Sequence, residues 1–344
     1  MKSQSGGKGQ DAEEALRAYF LSIGYFAVRS IPFIYRGFEV TDIDLWLYSK
    51  PSPITRERVN VDIKRKNTPK ALERVFWTRG VKDVLALDRC IVATTDKRME
   101  TPNFGTRHGV AVLGGGFLQN VIRDFIPLKN RISEESFLID LQENCHLKSG
   151  LVWKNFYKES KSLLINALNY NGCNLLLKKI KFLIEEILAS DWRSSAALRL
   201  LYILSSYLLV TIDFLSRPMI SYEETMKRKL FEEGFRFGEH GKKRAEEIIA
   251  TVESIMTSVS GERLEGSSNL RTDFESQLYE YPAEILAEHF SKIRNLNELF
   301  SLSKKFESIA FNSELVKPQS LEGASRAFLG VLCDFYRIDR KSFI

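Results

Sequence analysis

Residues 40–64 read VTDIDLWLYSKPSPITRERVNVDIK, and the order of apolar and polar side chains in this stretch decides the fold class. In its first part Thr41, Ile43, Leu45 and Leu47 alternate with Asp42, Asp44 and Trp46, the two-residue period of a strand with a packed face. A proline-bearing connection follows. Beyond it Val61 and Ile63 face one way while Asp62 and Lys64 face the other. Strands are therefore predicted over 40–48 and 59–65, each bringing an aspartate to its polar side.

Working outward, Leu16, Phe20 and Ile23 recur at helical spacing, with Asp11 as N-cap and Gly24 as the stop. The small, polar residues 1–9 are expected to be a flexible arm, and 25–34 reads as a strand. Downstream, 71–77 has helical spacing and Gly80 is expected to break it. The runs 90–94 (CIVAT) and 110–113 read as buried strands, then Gly114 to Gly116 form a turn before a short helix over 117–125. The resulting order, α-β-β-β-α-β-β-α, describes an α/β domain over residues 10–130.

The texture changes beyond Ile132. Residues 131–344 carry helix-type apolar spacing, which predicts an all-α region of unknown role, with a capping-box start at Ser221 and Glu224, a stop at Gly234 and a hinge over 258–269. The run 196–212 (AALRLLYILSSYLLVTI) is interrupted by Arg199 and ended by Asp213. It is short of the ~20 apolar residues of a membrane span, so a buried core helix and no membrane association are expected.

Composition narrows the function classes. Fifty Lys plus Arg against 44 Asp plus Glu give a net charge of +6, a mild excess that suits a polyanionic partner. Four scattered cysteines without a CxxC pair, and no apolar N-terminal leader, point to the reducing cytoplasm. Apart from the adjacent Cys145 and His146, no histidine lies at a short ligand spacing from a cysteine, which disfavours structural zinc.

An acidic-x-basic triplet is common in so charged a chain. Asp62-Ile63-Lys64 stands out because it lies on an apolar strand, follows the strand-borne Asp44, and is preceded by a helix bearing Glu13. Phosphodiester hydrolysis at neutral pH calls for a hard divalent cation to activate water and to neutralise charge on the phosphorane oxygens. Asp44, Asp62 and the Ile63 backbone carbonyl are the candidate ligands, with Glu13 assisting and Lys64 stabilising developing charge. Glu14 is the alternative helix acid. Between Arg56 and Arg107 there are 13 Lys or Arg and seven Asp or Glu, so the positive excess is local. Arg65, Lys66, Lys70, Arg74 and Arg79 are candidate phosphate contacts, and Trp77 and Phe104 candidate stacking groups.

These residues resemble the PD-(D/E)XK nucleases, in particular the restriction-endonuclease-like and Holliday-junction-resolvase-like branches. The resemblance covers residues ~8–125. It rests on Glu13-Glu14-Ala15-Leu16 through Gly24-Tyr25, on Thr41-Asp42-Ile43-Asp44-Leu45 and on Val61-Asp62-Ile63-Lys64. It implies a mixed sheet flanked by helices, a catalytic set of Glu13, Asp44, Asp62 and Lys64, and Mg²⁺-dependent endonucleolytic cleavage of DNA, with Mn²⁺ able to substitute. Restriction, repair or anti-phage defence is the implied setting. The family's proline is replaced by Ile43, and Asp62 stands where glutamate is commoner. The helical region is expected to recognise substrate or a protein partner, and a homodimer is one arrangement the resemblance implies. The alternatives are a nucleic-acid-binding or assembly subunit with weak or no cleavage, and an RNA-directed nuclease.

Overall fold

The computed structural model describes residues 8–66, 70–125, 130–143, 152–189, 195–260, 272–273 and 276–344. It has an N-terminal mixed sheet flanked by helices and a largely α-helical remainder, the expected fold class. Helix α1 (Lys8–Ser22) begins three residues before Asp11, so Asp11 lies in its first turn, where a negative charge suits the helix dipole. The N-terminal arm otherwise lies outside the described residues. Gly24, at φ +99°, ends the helix in the left-handed conformation expected of a C-terminal glycine.

Strand β1 (Phe26–Tyr35) turns into β2 (Phe38–Ser49) through Arg36 and Gly37, both at positive φ, the two-residue hairpin whose twist matches that of the strands. β2 pairs antiparallel with β3 (Glu57–Lys64), with Leu45 opposite Val61. β3 then pairs parallel with β4 (Arg89–Thr94), and β4 parallel with β5 (Ala111–Leu113). Parallel neighbours need crossovers. Helix α2 (Ala71–Val84) supplies the first, and α3 (Glu100–Arg107), absent from the expected order, supplies the second. Gly80 does not break α2. It sits on the helix surface with nothing near a Cβ position, while Val81 and Leu85 beyond it pack onto the core and carry the helix through. The glycine run likewise opens α4 (Gly115–Arg123) instead of remaining a turn, because Gly115 packs against the Thr95 carbonyl where a side chain would collide.

Helices α1 and α4 cover one face of the sheet, where Leu16 and Phe20 meet Leu45, Leu47, Val59, Val61 and Ile63. The other face is shared. At β4 it packs under α2 through Val75, Cys90 and Val92. At β1 and β2, Phe26, Val28, Trp46 and Tyr48 enter the same core as the helical region. The expected division at 130/131 is thus a change in secondary structure across which packing is continuous.

Helices α5 (Glu134–Glu143), α6 (Trp153–Asn166) and α7 (Tyr170–Ala189) surround α8 (Ser195–Ser216) together with α12 (Ile293–Ala310). α8 is long and apolar enough to cross a membrane, yet it is buried among the other helices on nearly all sides. Helix α9 (Glu224–Phe237) starts after Glu223 with no side-chain cap, so Ser221 does not form the expected box. It runs through Gly234 to Gly238. Gly234 serves close packing instead, since a Cβ there would strike the Tyr170 ring. α10 (Gly241–Ser260), α11 (Ala283–Ser291) and α13 (Gly323–Tyr336) complete the larger helices among the described residues. Most of the expected hinge, and the Cys145–His146 pair, lie outside the described residues.

Buried charge ties the two regions together. Arg17 of α1 binds Glu134 at 3.2 Å and Glu307 of α12 at 2.7 Å, while Lys161 and the Tyr157 hydroxyl donate to Glu134 at 2.9 Å. Burial works to raise the Glu134 pKa, but Lys161 and Arg17 outweigh it and hold it at about 2. A depressed folded-state pKa gives stability that is present above the ordinary value of 4.5 and lost as pH falls toward 2. The wild-type urea midpoint should therefore fall steeply between pH 4.5 and 2, and Glu134→Gln should flatten that dependence while lowering the midpoint at pH 7. An unchanged slope in the variant would remove Glu134 from the account.

Candidate active site

β2 and β3 part company at Asp44. Their ladder ends at Leu45 opposite Val61, and beyond that point the Asp44 carboxylate, in place of a backbone carbonyl, accepts the Ile63 N–H at 2.7 Å. Opposite Asp44 on β1, Ser30 adopts φ +49°, a local distortion of the strand at the same level. The opening exposes the centre of the sheet to side chains from three elements.

Asp44 Oδ2 also accepts from Lys64 Nζ at 3.3 Å, and Lys64 Nζ lies 3.6 Å from Asp62. The three strand residues singled out in the sequence are therefore brought together. Asp62 is nearly buried and is gripped by Arg74 of α2, whose Nε donates at 2.8 Å to one carboxylate oxygen while Nη2 takes the other. Such a fork-to-fork pair is strong and directional. Arg74 also stacks its guanidinium 5.6 Å from the Trp77 ring centroid.

Glu13 reaches the site edge from α1. Its carboxylate accepts from Arg29 Nη2 at 3.0 Å, and Arg29 binds Glu14 at 2.6 Å and Glu135 at 2.9 Å as well. Burial raises the Glu13 pKa against the opposing pull of Arg29, with the Asp44 charge adding to the rise. Asp44 is raised too, by burial first, despite the Ile63 N–H and Lys64. Glu13 thus shares an electrostatic environment with Asp44. Asp42 is exposed on the strand edge.

A small recess beside the carboxylates is lined by Asp44, Asn60, Asp62, Trp77 and Thr78. Asn60 Oδ1 and Thr78 Oγ1 are buried there without a hydrogen-bond partner, polar capacity that a satisfied core does not leave open.

Arg29 escaped the sequence reading. Its signal was present, a lone arginine in the otherwise apolar run Phe26-Ala27-Val28, but its partners are on other elements. Arg74 was read as a phosphate contact, whereas the structure commits it to Asp62. Lys70, just before α2, and Arg79 are exposed and among the described residues pair with the exposed Glu73 and Asp83 of that helix, and Lys66 is exposed on the loop after β3. Arg65 follows β3 directly. Trp77 and Phe76 are both substantially exposed on α2, while Phe104 packs edge-on against Phe76. Arg236 of α9 holds its largely buried side chain between Glu232 and Glu284.

Chemically, the set offers hard oxygen donors and one ammonium, that of Lys64, between Asp44 and Asp62. Among the described residues no group of three or more His, Cys, Asp or Glu side chains converges closely enough to hold a metal as arranged. Glu13 and Asp44, half-buried carboxylates whose charged forms are penalised, suit a cation; Asp62 would have to exchange Arg74 for it. No family model, curated protein or solved structure matches the chain.

Proposed function

We propose that the chain binds nucleic acid, DNA being the first partner to test, at a nuclease-type centre of Glu13, Asp44, Asp62 and Lys64 that cleaves weakly or not at all while its carboxylates are paired with arginine. The observation that carries this reading is the two-point grip of Arg74 on Asp62, beside Lys64 bridging Asp44 and Asp62. Glu13, Asp44 and Asp62 are each already paired with a cation, Arg29, Lys64 or Arg74, and Arg29 serves Glu14 and Glu135 as well, so none of these cations is spare for phosphate. Phosphate binding then falls to the exposed Lys66, Lys70 and Arg79 around it.

A second reading, a Mg²⁺-dependent endonuclease, is favoured by the raised Glu13 and Asp44 carboxyls. In it Asp44, Asp62 and the Ile63 carbonyl would hold the ion, with Glu13 assisting. Bound there, the ion would supply a polarised water and charge neutralisation at phosphate. Arg74 would turn from Asp62 to the substrate, and Lys64 would steady the charge developing between the carboxylates. A cytoplasmic setting accords with either reading.

Binding of labelled single-stranded DNA, duplex DNA and RNA across a salt series tests the proposal. Each phosphate contact contributes a slope of about −0.9 for duplex and about −0.7 for single strands in log K against log salt. Replacing Lys66, Lys70 and Arg79 together by alanine should lower the slope's magnitude by roughly 2–3. A slope unchanged in the triple variant would place the binding surface elsewhere, and no salt-dependent binding of any of the three would overturn the proposal.

A further inference from the structure

The helical region holds a cavity of about 600 Å³ between α7, α9, α13 and the segment 277–282. Its floor is apolar and aromatic. Leu177, Phe235 and Phe335 are buried beneath it, and Tyr281 and Tyr336 stand edge-on to Phe335 at ring-centroid distances of 5.2 and 4.9 Å. Its rim carries charge of one sign. Lys178, Lys181 and Arg337 are exposed there, and no aspartate or glutamate is among the described lining residues.

These cations differ in availability. The neighbouring Arg236 is neutralised by Glu232 and Glu284 and donates to the Leu278 carbonyl at 3.0 Å, so it forms wall. Lys181 lies 3.8 Å from Glu185. Lys178 and Arg337 have no carboxylate partner among the described residues; Arg337 reaches only the Glu280 carbonyl, at 3.5 Å. Hydrogen-bonding capacity at the wall comes from the Asn174 and Gln277 amides.

Ligand sites of about 300–1,000 Å³ accept molecules of drug or nucleotide size, and most of their affinity comes from the apolar part while a few polar groups fix orientation. Aromatic floors favour a flat ring, which can stack or meet an edge. A cationic rim with no opposing carboxylate favours an anionic head that stays partly hydrated. We propose that this cavity binds an aromatic phosphate of nucleotide size, its ring over Phe235, Tyr281 and Phe335 and its phosphate at Lys178 and Arg337. The site is independent of the carboxylate centre on the sheet.

Calorimetric titration of the full chain with 1-naphthyl phosphate tests this, with inorganic phosphate as control and adenosine monophosphate as competitor. One equivalent of naphthyl phosphate should bind with a dissociation constant below 1 mM, the range of modest small-ligand sites (~ −4 kcal/mol or better). Inorganic phosphate should bind at least tenfold more weakly. Lys178→Glu, on an exposed helix position, should weaken naphthyl phosphate at least tenfold without changing the melting temperature. Displacement by adenosine monophosphate would identify a nucleotide as the ligand, and failure to displace would restrict the site to other aromatic phosphates. No saturable binding, or unchanged affinity in Lys178→Glu, would overturn the proposal.

Discussion

Asp213→Ala is expected to lower the unfolding free energy by about 3–5 kcal/mol, the range for removing one partner of a buried ion pair. The Asp213 side chain is fully buried near the end of α8. It accepts from the Tyr48 hydroxyl at 2.6 Å, from Lys50 at 3.1 Å and from Arg56 through both Nε and Nη2. All three donors belong to the end of β2 and the connection into β3, the segment that sets the relation of Asp44 to Asp62. Removing the carboxylate leaves the buried Arg56 guanidinium without its counter-charge, although the carbonyls of Ser52, Pro53 and Thr55 still accept from it. Urea unfolding measures the loss directly. A change below about 1 kcal/mol, the size of an exposed pair, would mean that Asp213 does not anchor the sheet to the helices.

Arg74→Ala carries the second large effect, in the opposite sense. A cation approaching Asp62 must displace a guanidinium bonded to both carboxylate oxygens. Hydrogen bonds to charged groups contribute about 1.5–3 kcal/mol each where solvent is excluded, and less where, as here, Arg74 is partly exposed. Taking about 1.4–2.7 kcal/mol for the pair, Mg²⁺ affinity should rise roughly 10- to 100-fold in the variant. The same change removes the stacking of the guanidinium on Trp77, so a modest fall in thermal stability should accompany the gain. Mg²⁺ affinity that is unchanged, or lower, would show that Arg74 does not compete for Asp62.

Half-buried strands are legible because their polar alternation records which face is packed. β2 and β3, Asp44, Asp62 and Lys64 were read from that record, and the structure gathers them. Helix breaks were less legible. Gly80 was expected to end α2, but local propensity costs only about 1 kcal/mol, and the packing of Val81 and Leu85 overrides it. α3 was missed; it contains Pro102 and Gly105, residue types that disfavour helices, yet Gly105 is where the helix packs closely on Val112 and the Val110 carbonyl.

Long-range charge pairing left no local trace. Arg17 finds partners 117 and 290 residues away, so nothing around it in the chain marks it as buried. Asp213 looked like the polar end of an apolar run, and only its place against Arg56 reveals its role. The occupation of Asp62 by Arg74 was equally hidden, since spacing puts a basic helix residue near the site without saying whether it meets phosphate or carboxylate.

Cleavage of plasmid and single-stranded DNA in Mg²⁺ and in EDTA, by the wild-type chain, Arg74→Ala and the Arg74→Ala/Asp44→Ala double variant, tests the central claim most directly. The charge-paired centre predicts little wild-type cleavage, a metal-dependent gain in Arg74→Ala, and loss of that gain in the double variant. Vigorous Mg²⁺-dependent cleavage by the wild type that Arg74→Ala diminishes would contradict it and establish an active endonuclease in which Arg74 serves the substrate.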